Sequence, residues 1–157
     1  MKHGHPHGHT PRLVFWELTK RCNLRCAHCR AEAEDRLYEE MSTGEIITVI
    51  DAIAAHYRPI MVLTGGEPLY REDLFEIAAH AKAKGLVIAL ATNGTLIDAV
   101  VAGRIRGAGF DRVSISIDGA DAASHDGFRG ISGSFARALR GAAFLREADV
   151  PFQFNMT

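Results

Sequence analysis

Apolar positions along the chain fall into short runs that alternate with longer stretches at helical spacing. Leu13-Val14-Phe15-Trp16-Glu17-Leu18-Thr19 is rich in β-formers and reads as a buried strand. Residues 59–64, 86–91, 112–117 and 151–156 read as four more strands. Gly65-Gly66 ends the first of these, Asn93-Gly94 the next and Asp118-Gly119 the third. Between them, Ser42-Thr43-Gly44-Glu45 carries the capping signals of a helix start, and Ile46, Ile47, Ile50, Ile53 and Ala54 follow at helical steps. Residues 71–84 form a second helical stretch stopped by Gly85, and residues 96–106 a third followed by Gly107 and Gly109. A last helix over 134–148 is carried by Phe135, Ala138, Leu139, Ala142 and Leu145. Strands alternating with helices across short connections predict an α/β fold with a parallel sheet and right-handed crossovers. Ligands in such folds bind where a strand has ended and a helix has yet to begin.

The chemistry concentrates at one such edge. All three cysteines lie within eight positions after the first strand, as Cys22-x3-Cys26-x2-Cys29. Three thiolates on one loop repel each other and stay ionised only if a metal neutralises them. Zinc with a nearby histidine satisfies that demand, and so does an iron–sulfur cluster. With three cysteines, a four-iron cluster keeps one iron free for another ligand. The plain alternative is three small buried residues, or a disulfide with one thiol left over.

The 157 residues suffice for one domain with a core, and 47% hydrophobic with 24% charged residues is the balance of a soluble globular protein. A net charge of −1 gives no reason to expect nucleic acid or an anionic membrane as partner. No apolar run approaches the ~20 residues of a spanning helix, and the N-terminus lacks the apolar core of a signal peptide. Clustered thiols without an export signal fit a reducing cytoplasm. Residues 1–11 alternate histidine with glycine or proline and read as a disordered leader. His3, His5, His7 and His9 within it could take up nickel, copper or zinc.

The cysteine spacing resembles the signature of the radical S-adenosylmethionine (SAM) enzymes. Thr64-Gly65-Gly66-Glu67-Pro68, Ala91-Thr92-Asn93-Gly94 and Ser114-Ile115-Ser116-Ile117-Asp118-Gly119 match further stretches in the family's order. Trp16-Glu17-Leu18-Thr19, His28-Cys29-Arg30-Ala31 and His125-Asp126-Gly127-Phe128-Arg129-Gly130 narrow the resemblance. They are similar to the branch holding haem d1 and alternative haem biosynthesis enzymes and peptide-modifying (SPASM-like) enzymes. The resemblance implies a partial (β/α)6 TIM-like barrel, apparently truncated here after about five strands, with residues 12–157 as the N-terminal part of the core domain. Relatives continue with a sixth strand and often a C-terminal extension. An outer edge left unpaired on the fifth strand invites association with another chain.

The resemblance also implies roles. Cys22, Cys26 and Cys29 would hold a [4Fe-4S] cluster whose open iron chelates the amino and carboxylate groups of SAM. His28 stands where the family has a large residue near the adenine, with a surface-loop histidine as the other reading. Gly65 and Gly66 lack β-carbons, so the backbone there can approach the amino end of SAM. Glu67 would accept from that ammonium or fix the loop, and Pro68 would stiffen its exit. Asn93 and Gly94 suit a turn, and the resemblance adds a pocket-lining role. Ser114, Ser116 and Asp118 alternate onto one face of the fourth strand, where they would bind ribose or carboxylate groups of SAM, since polar groups there need a ligand or water as partner. Gln153 and Asn155 do the same on the fifth. Arg30, His125 and Arg129 are placed on loops at the mouth, where they could grip substrate carboxylates or simply be solvated.

The implied activity is reductive cleavage of SAM to a 5′-deoxyadenosyl radical that abstracts hydrogen from a tetrapyrrole or a peptide. A flavodoxin- or ferredoxin-like protein would donate the electron. A non-catalytic cluster- and SAM-binding module and a structural zinc protein are the competing readings.

Overall fold

Five strands form one parallel sheet in the computed structural model, which describes residues 10–156. They are Leu13–Glu17 (β1), Ile60–Thr64 (β2), Val87–Thr92 (β3), Arg112–Ser116 (β4) and Phe152–Asn155 (β5), in the spatial order β1-β2-β3-β4-β5. The helices are Thr43–His56 (α1), Leu74–Ala83 (α2), Ala99–Gly107 (α3), Ala122–Arg129 (α4) and Ser134–Glu147 (α5). The α/β architecture expected from the alternation of strands and helices is the one observed. The expected leader lies, except for its last two positions, outside the described residues.

Register sorts the side chains onto two faces. Trp16, Leu63, Leu90 and Val113 stand side by side across β1 to β4, and Met61 lies beside Ile88. Met61, Leu63, Ile88, Leu90, Val113 and Ile115 are fully buried in one core with Ile46 and Ile50 of α1, Leu74 and Ile77 of α2, Ile105 of α3 and Leu145 of α5. Each such side chain contributes ~1.5–3 kcal/mol by leaving water. The opposite face carries the row Phe15, Val62, Ala89 and Arg112. Phe15 there is 66% exposed, and Gln153 and Asn155 are open to solvent as well.

Local chemistry moves several boundaries. The capping box of α1 forms as expected, with Ser42 accepting from Glu45 N–H and Glu45 accepting from Ser42 N–H. The helix expected over 71–84 instead begins at Leu74, after a 3₁₀ turn at Pro68–Tyr70. Arg71 is the reason. Its guanidinium binds Asp73 and the carbonyls of Leu18 and Met41, holding this stretch to the neighbouring loops rather than in a helical turn. α3 begins three residues later than expected because Asp98 caps it, accepting from Val101 N–H at 2.8 Å.

The larger correction is α4. His125 and Arg129, expected on loops at the mouth, sit four residues apart on this helix and are buried, His125 completely. They are not a solvated pair of substrate grips.

Candidate functional site

The segment from β1 to α1 is folded back on itself before it presents its cysteines. Leu18 N–H extends the β1–β2 pairing to Thr64 O at 2.8 Å. Cys22 N–H then donates to Glu34 O and Glu34 N–H to Lys20 O, closing the loop at its neck. Cys22 is buried, Cys26 and Cys29 are half-buried, and all three are free thiols.

All three sulfurs receive donors. Leu24 N–H points at Cys22 Sγ (3.4 Å), Ala33 N–H at Cys29 Sγ (3.3 Å) and Arg129 Nη1 at Cys26 Sγ (3.6 Å). Asn93 Nδ2 adds a longer contact of 3.9 Å to Cys22. Donors aimed at sulfur favour the thiolate. Burial acts in the other direction and pushes the Cys22 thiol up to about 11, so it ionises at neutral pH only against a cation.

The cysteines share a cavity of about 330 Å³ with the ends of β2, β3 and β4. Thr64, Gly65 and Gly66 line it from β2, Thr92 and Asn93 from β3, and Ser116 from β4, with His28 and Arg129 at its sides. Among the described residues, no three His, Cys, Asp or Glu side chains sit close enough to grip one metal ion. A cluster-sized cavity edged by three donor-bearing thiols nevertheless suits an anionic iron–sulfur group. Arg129 Nε, buried and without a partner among the described residues, leaves one more donor at this wall.

The glycines have a use the sequence did not disclose. A β-carbon on Gly66 would lie 2.3 Å from Arg21 O, and one on Gly65 would lie 2.3 Å from Thr19 O. Gly66 N–H donates to Thr19 O and Glu67 N–H to Arg21 O, both at 2.7 Å. The close approach is therefore between β2's exit and the backbone entering Cys22, with the cavity on the same edge. Gly65 also takes φ of 151°, a conformation that favours glycine.

Glu67 does not line the cavity but lies behind Thr92 and Asn93, which do. It is fully buried and accepts from Thr92 Oγ1 (2.7 Å), Asn93 N–H (2.8 Å) and Leu69 N–H (3.2 Å). Burial nevertheless raises its carboxyl to about 7, against those three donors. Of its two expected roles, this geometry matches the fixing of loops. Pro68 is buried in the adjoining 3₁₀ turn. Asn93 bridges onward, its Nδ2 donating to Asn23 Oδ1 at 2.8 Å and its Oδ1 accepting from Thr95. Asn23 closes the ring by donating to Thr95 Oγ1. Glu67, Asn93 and Asn23 thus tie the exits of β2 and β3 to the cysteine loop.

The remaining expected residues divide. Ser116 reaches the cavity, Ser114 lies deeper on the same strand face, and Asp118 is buried in an ion pair with Arg129. His28 lines the cavity with its ring stacked on Phe128, 4.3 Å between centroids and 10° from parallel. Arg30 is exposed and paired with Glu17. Asn23, Thr95 and Phe128 were not anticipated. Asn23 was signalled only by its place between two cysteines, and Phe128 by its place in the 125–130 stretch.

The family model of the Radical SAM superfamily matches residues 16–157, nearly the whole described fold. The chain belongs to the radical SAM superfamily. Membership implies an iron–sulfur cluster and SAM. Among relatives, this radical SAM domain is 49% identical over 148 residues to the AdoMet-dependent heme synthase of Methanosarcina barkeri, covering 94% of the chain and 42% of that protein. It is 37% identical over 138 residues to the mycofactocin maturase MftC of Mycobacterium ulcerans, covering 88% of the chain and 37% of that protein. The chain thus spans less than half the length of these relatives. The solved structure of anSMEcpe with bound AdoMet superposes with a TM-score of 0.77 at 24% identity, covering 92% of this chain and 43% of that one. At that identity it speaks for the fold alone, the partial barrel. No helix among the described residues is long and apolar enough to cross a membrane.

Proposed function

We propose that this domain binds a [4Fe-4S] cluster through Cys22, Cys26 and Cys29, and SAM in the adjoining cavity, as the radical-generating part of a tetrapyrrole-modifying enzyme. The single observation that carries the reading is the cavity itself. Three thiols, each with an N–H donor, open onto the same space as the ends of β2, β3 and β4. When bound, the cluster supplies one electron to the sulfonium of SAM, whose 5′-deoxyadenosyl radical takes hydrogen from the substrate.

The chain's own residues orient and enclose. Backbone groups at Gly65 and Gly66 and the Ser116 hydroxyl offer hydrogen bonds to the polar parts of SAM, while His28 keeps one ring face for its adenine. The Glu67–Asn93–Asn23 ties hold three loops in register, so that the thiols keep their spacing. Ser114 and Asp118 lie on or just beyond the strand that carries Ser116 and would add partners for the ribose or carboxylate of SAM, with Gln153 and Asn155 beside them on β5.

A tetrapyrrole is favoured by the 49% identity to a protein named as a heme synthase. A peptide substrate is the second reading, favoured by the likeness to the mycofactocin maturase. The proposal includes a flavodoxin- or ferredoxin-like electron donor and a cytoplasmic location. Anaerobic reconstitution followed by reduction with SAM tests it. About four irons per chain and release of 5′-deoxyadenosine are expected. Iron loading without SAM cleavage would leave only a cluster-binding module, and stoichiometric zinc with no cluster absorbance would overturn the reading.

A further inference from the structure

The 125–130 stretch, His125-Asp126-Gly127-Phe128-Arg129-Gly130, enters the function proposed above only through the Arg129 donor to Cys26 and the Phe128 ring behind His28, yet its backbone also packs directly on the cysteine loop. Arg25 N–H donates to Arg129 O at 3.0 Å and Ala27 N–H to Phe128 O at 2.9 Å. These two amides flank Cys26. The Phe128 ring lies flat on His28, on the other side of Ala27. Gly130 ends α4 with φ of 72°, and a β-carbon there would sit 2.4 Å from Arg25 O. Only glycine lets the helix end so near the loop.

The other half of the stretch anchors α4 to the body of the domain. His125 Nδ1 accepts from Asp118 N–H at 3.0 Å. The Asp126 carboxylate accepts from Gly133 N–H, Phe135 N–H and Ser134 Oγ, capping α5. α4 is therefore fixed at one end to β4 and α5, and its other end is pressed onto the cysteine loop.

That anchoring fixes one charge. Arg129 is buried, its Nη1 lies 3.6 Å from Cys26 Sγ, and its Nη2 pairs with Asp118. Among the described residues, Cys26 is the one of the three whose sulfur takes a charged side chain as donor. Resting on the cluster-binding reading above, we propose that Arg129 is a positioning residue that sets the reduction potential of the group held by the three cysteines. A buried cation and a hydrogen bond to a ligating sulfur both favour the more negative, reduced state and raise the potential. Asp118, the partner carboxylate, moderates the effect. Substrate-carboxylate binding is ill suited to this side chain, since one arm of its fork is occupied by Asp118 and the other by Cys26.

Opposite signs make the inference testable. The full chain is loaded anaerobically, its iron counted, and its midpoint potential measured without SAM by redox titration, following the reduced signal by electron paramagnetic resonance. Arg129→Gln is expected to lower the midpoint and Asp118→Asn to raise it, with Arg129→Lys closer to wild type than Arg129→Gln. A purely structural role would not split the two variants in opposite directions. An unchanged midpoint in Arg129→Gln, or a shift of both variants in the same direction, overturns the proposal. If Arg129→Gln alone does not keep its cluster, the double variant Asp118→Asn/Arg129→Gln removes the charge of Asp118 together with that of Arg129. Its midpoint should then lie below that of Asp118→Asn, and equality overturns the proposal. A wild-type chain that takes up no iron would overturn the cluster-binding reading itself, and the iron count separates that failure from the others.

Discussion

Gly66→Ala isolates the contact that joins β2's exit to the cysteine loop. The added carbon would meet Arg21 O at 2.3 Å, and Arg21 C and Lys20 O at 2.8 Å. All three are backbone atoms, so no side chain can swing aside to make room. The 19–21 segment must move instead, and with it the hydrogen bonds Gly66 N–H to Thr19 O and Glu67 N–H to Arg21 O, both 2.7 Å. Overpacking costs about 1–3 kcal/mol, and two backbone hydrogen bonds about 1 kcal/mol each. A loss of about 3–5 kcal/mol follows, a large share of the ~5–15 kcal/mol that a domain has. Urea unfolding of the metal-free chain measures it, with Gly103→Ala as the matched control. Gly103 lies within α3 with nothing within 4 Å of its added carbon, so alanine there should stabilise by about 0.5–1 kcal/mol. Because the displaced segment leads directly into Cys22, iron uptake by Gly66→Ala should fall as well. Gly66→Ala unfolding within about 1 kcal/mol of wild type would refute the packing argument.

Three further outcomes follow from the same geometry. Glu67 has a folded pKa of about 7 against an ordinary 4.5, so its contribution is fully present below pH 4.5 and lost as pH rises through 7. The loss is about 3 kcal/mol, and a denaturation series from pH 4 to 8 should show the slope in wild type and not in Glu67→Gln. Arg71→Met removes the guanidinium that joins Asp73 to the Leu18 and Met41 carbonyls, and should cost about 2–4 kcal/mol by thermal or urea unfolding. Substituting any one of Cys22, Cys26 and Cys29 by alanine should abolish the brown colour and the iron of the reconstituted chain while leaving its circular dichroism unchanged.

The sheet was legible in the sequence because its strands are short runs rich in β-formers, three of them closed by glycine, and all five are found within two residues of where the pattern put them. α4 was not legible, because the residues it buries are His125 and Arg129 rather than aliphatic ones. Its signals were of another kind. Asp121 caps it by accepting from Ser124 N–H, and Gly130 follows it in the left-handed conformation. In the site, the spacing of the cysteines and the glycines after β2 located the cavity edge. What the glycines approach, and which way Glu67 faces, depend on loops distant in sequence. Asn93 and Asn23, 70 residues apart, meet only in the folded chain. The 24% identity to a solved structure of nearly the same backbone makes the same point, since the fold persists while most side chains differ.

The central claim is that three thiols at this cavity hold a cluster with a free coordination position for SAM. The most direct measurement is the electron paramagnetic resonance spectrum of the reconstituted, reduced chain with and without SAM. The account predicts a reduced-cluster signal whose shape changes on adding SAM and which is absent when Cys26 is alanine. A cluster signal indifferent to saturating SAM, or a protein that holds zinc and gives no signal at all, would contradict it.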